Sequence, residues 1–298
     1  MRNTFKDPYL QEVFERDGYV VVPFLNEKEV KYLKNMYDNS ITGEFPTGFH
    51  STMHSRDVQY RKHINKEIQS VCNAKVEKYL DNYQPLVGGF VVKQPADPNT
   101  GFDFHLDWSM VNEKEYVSLC FWTPLIDTNA KNGNLWVLKG SHKMRDTIRG
   151  GPGLFNYFCD NKSFYQCEMQ AIPVRAGTAI IFDHKLWHAA PPNLGSVTRA
   201  ATHFAWIPQE THSWHYNLAP GNRIEIFEVE PEFYARVMIG ENPDNIKSIG
   251  FIDMGLSSEC SVYEQLANPP TSDVMHGLFS HTGKFPFYKI ESKHACYV

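Results

Sequence analysis

Arg175-Ala176-Gly177-Thr178-Ala179-Ile180-Ile181-Phe182 places a glycine turn in front of a short apolar run. The same texture, brief β-rich segments broken by Gly, Pro, Asn and Asp, starts near Pro85 and continues to Pro208. It predicts strands over Leu86–Gln94, Phe102–Trp108, Val117–Leu125, Asn134–Leu138, Ala171–Val174, Thr178–Phe182 and Thr198–Pro208. Asp97-Pro98-Asn99-Thr100-Gly101, Lys131-Asn132-Gly133 and Arg175-Ala176-Gly177 read as turns between them, since these residue types accept the backbone angles that reverse a chain. Many short strands with turn signals imply an antiparallel sandwich of jelly-roll type.

Upstream of that region, Tyr19–Pro23 reads as a strand, and Asn26 with Glu29 forms a capping box. Val30, Leu33 and Tyr37 follow at helical spacing, and a second helix is predicted from Ile64 to Tyr83. Downstream, residues 209–298 are less regular, with a helix predicted over Glu230–Met238. The expectation is one domain over 1–298: N-terminal helices, a mainly β core over about 11–208, and a C-terminal extension over about 209–298.

Composition narrows the function. The 298 residues are 42% hydrophobic and carry a formal net charge of −5, so no basic footprint for nucleic acid exists. No apolar run approaches the roughly 20 residues that span a bilayer, and the polar N-terminus lacks a signal-peptide core. A cytoplasmic protein without nucleic-acid or membrane partners is expected. Cys72, Cys120, Cys159, Cys167, Cys260 and Cys296 form no CxxC pair. They are expected as thiols in a reducing compartment rather than a disulfide framework or zinc-thiolate site.

The chemistry concentrates in two segments. Phe102-Asp103-Phe104-His105-Leu106-Asp107-Trp108 holds His-x-Asp on a predicted strand, where period-two alternation puts both side chains on one face. An imidazole and a carboxylate together are two-thirds of a 2-His-1-carboxylate facial triad. The Thr178–Phe182 strand then delivers Asp183-His184-Lys185-Leu186-Trp187-His188, offering His188 as the third ligand and His184 as its competitor. Arg199 opens the next apolar strand, where a guanidinium is costly unless it meets an anion. A dicarboxylate chelating the metal at one end would present such an anion, and the planar fork of Arg suits it. A rim arginine paired with a protein carboxylate is the plain alternative.

Several motifs recur in a fixed order: Asp17-Gly18-Tyr19-Val20-Val21-Val22-Pro23-Phe24-Leu25, the His105/Asp107 pair, Cys120-Phe121-Trp122-Thr123-Pro124-Leu125, and Asn132-Gly133-Asn134-Leu135-Trp136-Val137-Leu138-Lys139-Gly140-Ser141-His142-Lys143. Over residues 11 to 206 the chain resembles the phytanoyl-CoA dioxygenase family of iron(II)/2-oxoglutarate oxygenases. The eleven-residue separation of His188 and Arg199 matches the family's distal histidine and 2-oxoglutarate arginine, which selects His188 over His184. The resemblance implies a double-stranded β-helix of cupin-like form. It implies Fe(II), 2-oxoglutarate and O2 as cofactors, with ascorbate as an activator. It also implies that Trp122 lines the cosubstrate pocket and that Lys93 lies near it. His142 in the Gly-Ser-His-Lys motif is expected to shape a loop and bind no metal. Where some members carry Ser two residues after the distal histidine, this chain has Ala190. That departure makes His203, four residues beyond Arg199 on the same strand, a candidate cofactor contact, with a satisfied core histidine as the alternative.

Asp107 fills the site that halogenating relatives leave to halide, so the resemblance implies oxygen insertion, with release of succinate and CO2. The substrate is expected to be a small molecule. Trp108 is a candidate to face it, and the basic-aromatic stretch 45–66, with Arg61 and Lys62, suggests an anionic one. Trp214, His215, Tyr216 and Asn217 either cover the mouth or form a dimer contact, leaving monomer and homodimer both open. Two rival readings remain: a jelly-roll binding protein without catalysis, and a cupin-like metalloenzyme that does not use 2-oxoglutarate.

Overall fold

A computed structural model describes residues 2–41, 48–144, 148–150, 168–220, 223–237, 246 and 248–253. In chain order the elements are α1 (Pro8–Asp17), β1 (Tyr19–Pro23), α2 (Glu27–Ser40), β2 (Phe49–Ser51), α3 (Val58–Val76), β3 (Tyr83–Lys93), β4 (Phe102–His105), β5 (Leu119–Pro124), β6 (Leu135–Val137), β7 (Gln170–Ile172), β8 (Thr178–Asp183), β9 (His188–Ala190), β10 (Arg199–Pro208), β11 (Ser213–Ala219), β12 (Arg223–Val229), α4 (Phe233–Arg236) and β13 (Ser248–Asp253).

Two antiparallel sheets make the jelly roll, a six-stranded one ordered β1-β8-β5-β10-β3-β2 and a four-stranded one ordered β4-β9-β6-β7. The outer face of the large sheet is covered by helices, with Ile64, Ile68, Cys72 and Val76 of α3 packed on Phe90, Val92 and Phe204. Its inner face carries Cys120, Trp122, Ile180, Phe182 and Ala201, which meet Leu135 and Val137 of the smaller sheet. The Gly177 turn closes this core. Its φ of +80° suits glycine, and a Cβ there would sit 2.4 Å from the Leu25 carbonyl oxygen. That carbonyl is close because Phe24 and Leu25 both donate N–H bonds to the oxygen of Gly177, at 3.1 and 2.8 Å.

The capping box forms as expected, with Glu29 N–H donating to Asn26 Oδ1 at 3.1 Å and Asn26 N–H to Glu29 Oε2 at 2.8 Å. The second helix differs from its predicted Ile64–Tyr83 span. It begins at Val58 because Asp57 accepts the N–H groups of Gln59 and Tyr60. It stops at Val76; Leu80 bridges to Phe5, Asn82 adopts φ 55°, and Tyr83 already belongs to β3. The stripe Tyr79, Leu80 and Tyr83 is apolar because of these later contacts, not because the helix continues.

The predicted strand Phe102–Trp108 also shortens. β4 ends at His105 with a register shift against β9, so strand alternation does not place Asp107. Asp107 is held instead by its N–H, which donates to the His184 oxygen at 3.1 Å. The predicted helix Glu230–Met238 contracts to the single turn of α4. Beyond the core, β11, β12 and β13 form a separate three-stranded sheet. Phe227, Val229, Phe233 and Tyr234 join it to Leu86, Val87, Ala205 and Ile207 in one apolar cluster. Residues 254–298 of the extension lie outside the described residues, as do Cys159, Cys167, Cys260 and Cys296. Cys72 and Cys120 are buried free thiols. No described helix is long and apolar enough to cross a membrane.

Candidate metal centre

His105 ends β4, Asp107 lies two residues on, and His188 opens β9, which pairs with β4 so that His105 and His188 are directly opposed. Their ligand atoms all lie within 4.8 Å of one another. Asp107 Oδ1 is 3.9 Å from His105 Nε2 and 3.8 Å from His188 Nε2. Each imidazole is oriented by a main-chain carbonyl: His105 Nδ1 lies 2.6 Å from the Asp103 oxygen, and His188 Nδ1 lies 2.9 Å from the Leu186 oxygen. A carbonyl only accepts, so both Nδ1 atoms carry the proton and both Nε2 lone pairs face the carboxylate. That is the tautomer a metal requires.

Protonation agrees with geometry. Burial, and then His188, depress His105 to about 3, and burial also lowers His188. Burial acts against the Asp107 charge, yet His188 and His203 hold that carboxyl well below its ordinary range. Two neutral imidazoles beside an ionised carboxylate are a donor set for iron(II) with three positions open.

His184, the competitor, is not part of this set. It is fully buried beneath it, with Nδ1 2.9 Å from Ser118 Oγ.

On the inner face of β10, Arg199, Ala201 and His203 alternate toward the cleft. Arg199 is opposed by Lys93 of β3, and His203 is opposed by Gly89 of β3 and Trp122 of β5. The Arg199 guanidinium is buried 5.5 Å from the centroid of the Trp122 ring. It donates to the Val91 oxygen at 3.2 Å, while its Nε meets no acceptor among the described residues. Lys93 is fully buried and donates to the Ala190 and Pro191 oxygens, both at 2.6 Å, leaving one of its three donors. Burial pulls Arg199 down to about 9; burial, and then Arg199, pull Lys93 down to about 6. No carboxylate among the described residues forms a salt bridge with either cation. A buried guanidinium beside a lysine whose charged form burial disfavours is a pair that an incoming anion would complete.

Other sequence expectations are redirected. His203 does not partner Arg199; its Nε2 is 3.4 Å from Asp107 Oδ2. Arg61 does not reach the cleft. It is buried on α3, on the far side of the large sheet, and donates to the Ala235 oxygen at 3.0 Å, the Arg236 oxygen at 2.5 Å and the Ser55 oxygen. Three backbone carbonyls therefore occupy the guanidinium that was expected to meet substrate. Lys62, the next residue on α3, is exposed to solvent. Trp108 is half-buried beside Asp107, with its ring 5.8 Å from that of His215 and in an apolar cluster with Met53 and Met110. His142 is buried against Phe14 and outside the metal-ligand groups.

Two supports escaped the reading of the sequence. Arg149 Nε donates to the Asp107 oxygen at 2.7 Å while its other nitrogens grip Glu113 at 2.5 and 2.6 Å. Asn193 donates to the Lys93 oxygen at 3.1 Å and the Val197 oxygen at 2.8 Å. Both tie distant segments together, and no local spacing announces such contacts. A third missed residue is Cys120, whose sulfur lies within 4.8 Å of ligand atoms of Asp107 and His203.

The family model for phytanoyl-CoA dioxygenase matches residues 14–201, more than half of the chain. An Arabidopsis thaliana protein named phytanoyl-CoA dioxygenase is 30% identical over 134 residues, 44% of this chain and 43% of its own length. The match thus spans under half of that relative. Among solved structures, the non-heme alpha-ketoglutarate-dependent carbocyclase SnoK from nogalamycin biosynthesis aligns with a TM-score of 0.52 at 17% identity, covering 82% of this chain and 96% of that one. EvdO2 of Micromonospora carbonacea var. aurantiaca, complexed with 2-oxoglutarate, aligns at 0.48 and 18% identity over 70% of this chain and 94% of its own. By the family match over its β core, the chain belongs to the phytanoyl-CoA dioxygenase family.

Proposed function

We propose that the protein is an Fe(II)- and 2-oxoglutarate-dependent dioxygenase that inserts oxygen into a small organic substrate. Substrate, O2 and 2-oxoglutarate would give hydroxylated substrate, succinate and CO2. The observation that carries this reading is the buried pair Arg199 and Lys93, which forms no salt bridge with a carboxylate among the described residues, on the same sheet face that leads to the His105–Asp107–His188 cluster.

Each residue has a separate task. His105, Asp107 and His188 would hold iron, and their carbonyl-fixed tautomers keep three lone pairs converged before any metal arrives. Arg199 would bind the distal carboxylate of 2-oxoglutarate through its Nε edge, and that carboxylate would favour the protonated form of Lys93 beside it. The Trp122 ring limits how far the guanidinium can move. Iron with 2-oxoglutarate and O2 supplies the oxidising power for substrate, coupled to decarboxylation of the cosubstrate. Asp107, by occupying the third protein position, favours oxygen insertion over halide transfer. Ala190, where some relatives carry a hydroxyl, leaves Arg199 and Lys93 as the polar contacts to the cosubstrate.

Anaerobic addition of Fe(II) and then 2-oxoglutarate to metal-free protein tests the reading. A visible metal-to-ligand charge-transfer band is expected, weakened in His188→Ala and in Arg199→Ala. Folded protein that gives no band would sink it.

A further inference from the structure

Asp107 turns its two oxygens to different neighbours. Oδ1 faces His105 and His188, whereas Oδ2 faces His203 at 3.4 Å. The Cys120 sulfur lies on the same side, within 4.8 Å of a ring nitrogen of His203. Cys120 and His203 come from adjacent strands of the large sheet: Cys120 opposes Ala205, and Trp122 opposes His203, so the two lie diagonally on the inner face. One ligand atom from each of Asp107, Cys120 and His203 lies within 4.8 Å of the other two. The thiol is fully buried at the back, while the His203 side chain is 32% exposed and Asp107 14%, which leaves the set open on the cleft side.

We propose that Asp107, Cys120 and His203 form a second metal site, selective for a thiophilic divalent cation such as Zn(II), and exclusive with iron at His105, Asp107 and His188. Three protein ligands of S, N and O type with one open side match the donor count and mix of a four-coordinate zinc site whose last position is solvent. Sulfur separates the two sites chemically, because thiolate favours Zn(II), whereas imidazole with carboxylate serves iron(II) well. A cation here would deprotonate the thiol outright. Exclusion follows from the shared carboxylate. Asp107 is the one anionic donor of the first set, so a cation that draws it toward Cys120 and His203 leaves iron only the two neutral imidazoles of His105 and His188. The cysteine would thus make the centre sensitive to zinc by drawing Asp107 through its second oxygen.

The test uses the metal-free chain of 298 residues with Co(II) as probe, read by the near-ultraviolet thiolate-to-cobalt charge-transfer band. His105→Ala with His188→Ala removes the first donor set and should retain the band; adding Cys120→Ser should abolish it. Zinc-edge X-ray absorption of the double variant should show one sulfur scatterer at about 2.3 Å. If the double variant fails to fold, judged by circular dichroism, His188→Ala alone carries the same measurements. Absence of a sulfur signal in a folded variant, or its persistence after Cys120→Ser, would overturn the site. Native protein loaded anaerobically with Fe(II) and 2-oxoglutarate should lose most of the cobalt–thiolate band, and an undiminished band would refute exclusion. This last arm rests on the proposed iron site, and the charge-transfer band of Fe(II) with 2-oxoglutarate checks that reading independently. A sulfur signal without the iron band leaves the second site standing.

Discussion

Replacing Arg199 with Met separates a binding arginine from a structural one, because the two roles predict opposite changes in stability. The guanidinium is buried, makes one hydrogen bond to the Val91 oxygen at 3.2 Å and leaves Nε without an acceptor among the described residues. In most proteins, removing one member of a buried ion pair costs about 3–5 kcal/mol, because the other charge is stranded. Here no described carboxylate would be stranded. Met keeps the apolar stem over Trp122, gives up one hydrogen bond of about 1 kcal/mol and removes a buried charge. Exchange of buried charges for apolar groups is often neutral or stabilising by about 1–4 kcal/mol. The metal-free variant should therefore melt at the native temperature or above it. Binding of 2-oxoglutarate should suffer instead, by the roughly 2–5 kcal/mol lost on truncating a buried charged contact, or about 30- to 5,000-fold in Kd. Thermal scans of anaerobic Fe(II)-loaded protein read both effects. At a hundredfold excess over Kd, 2-oxoglutarate adds about 2.7 kcal/mol to the native protein, a shift of about 4 °C for a chain of 298 residues. The same concentration should hardly move Arg199→Met. A variant that melts far lower without ligand, yet keeps the full 2-oxoglutarate shift, would refute the assignment and make Arg199 a packing residue.

Two further outcomes follow from buried cations. Lys93 sits near 6 in the folded protein and far higher when unfolded, so the unfolded chain binds the extra proton between those values. Stability of the metal-free protein should accordingly rise with pH from about 6, and Lys93→Met should flatten that rise between pH 6 and 9, as read by urea denaturation; an unchanged slope would refute the burial argument. Arg61→Ala should destabilise by about 1–3 kcal/mol, since it strands the buried carbonyl of Ala235 and removes bonds to the part-buried carbonyls of Ser55 and Arg236. Once folded, that variant should keep its apparent substrate KM; a raised KM at unchanged stability would return Arg61 to the substrate cleft.

The division between what was legible and what was not follows the range of the interactions. Strands announced by Gly, Pro and Asn turns depend on neighbours in sequence, so the jelly roll and the capping box at Asn26 could be read directly. Helix limits were less legible, because burial of Tyr79, Leu80 and Tyr83 mimics a helical stripe while arising from a bridge and a strand. At the centre, His105, Asp107, His188 and Arg199 stood out by motif and spacing. Yet the reason first given for pairing His105 with Asp107 was strand alternation, and β4 ends before Asp107. Convergence comes instead from the pairing of β4 with β9 and from the Asp107 N–H bond to His184.

By itself, the sequence determined which residue types were available to bind metal and anion, and on what class of scaffold they would sit. Tertiary structure alone decided which donors were spent and which were free. Arg61 and Arg199 are both candidate anion-binding arginines in the sequence, and both are buried in the fold. Three backbone carbonyls from Ser55 and the distant α4 turn engage all three nitrogens of the first, whereas the Nε of the second meets no acceptor among the described residues. Hydrogen bonding over 174 residues of separation has no local signature, because it depends on how sheets and helices close upon one another.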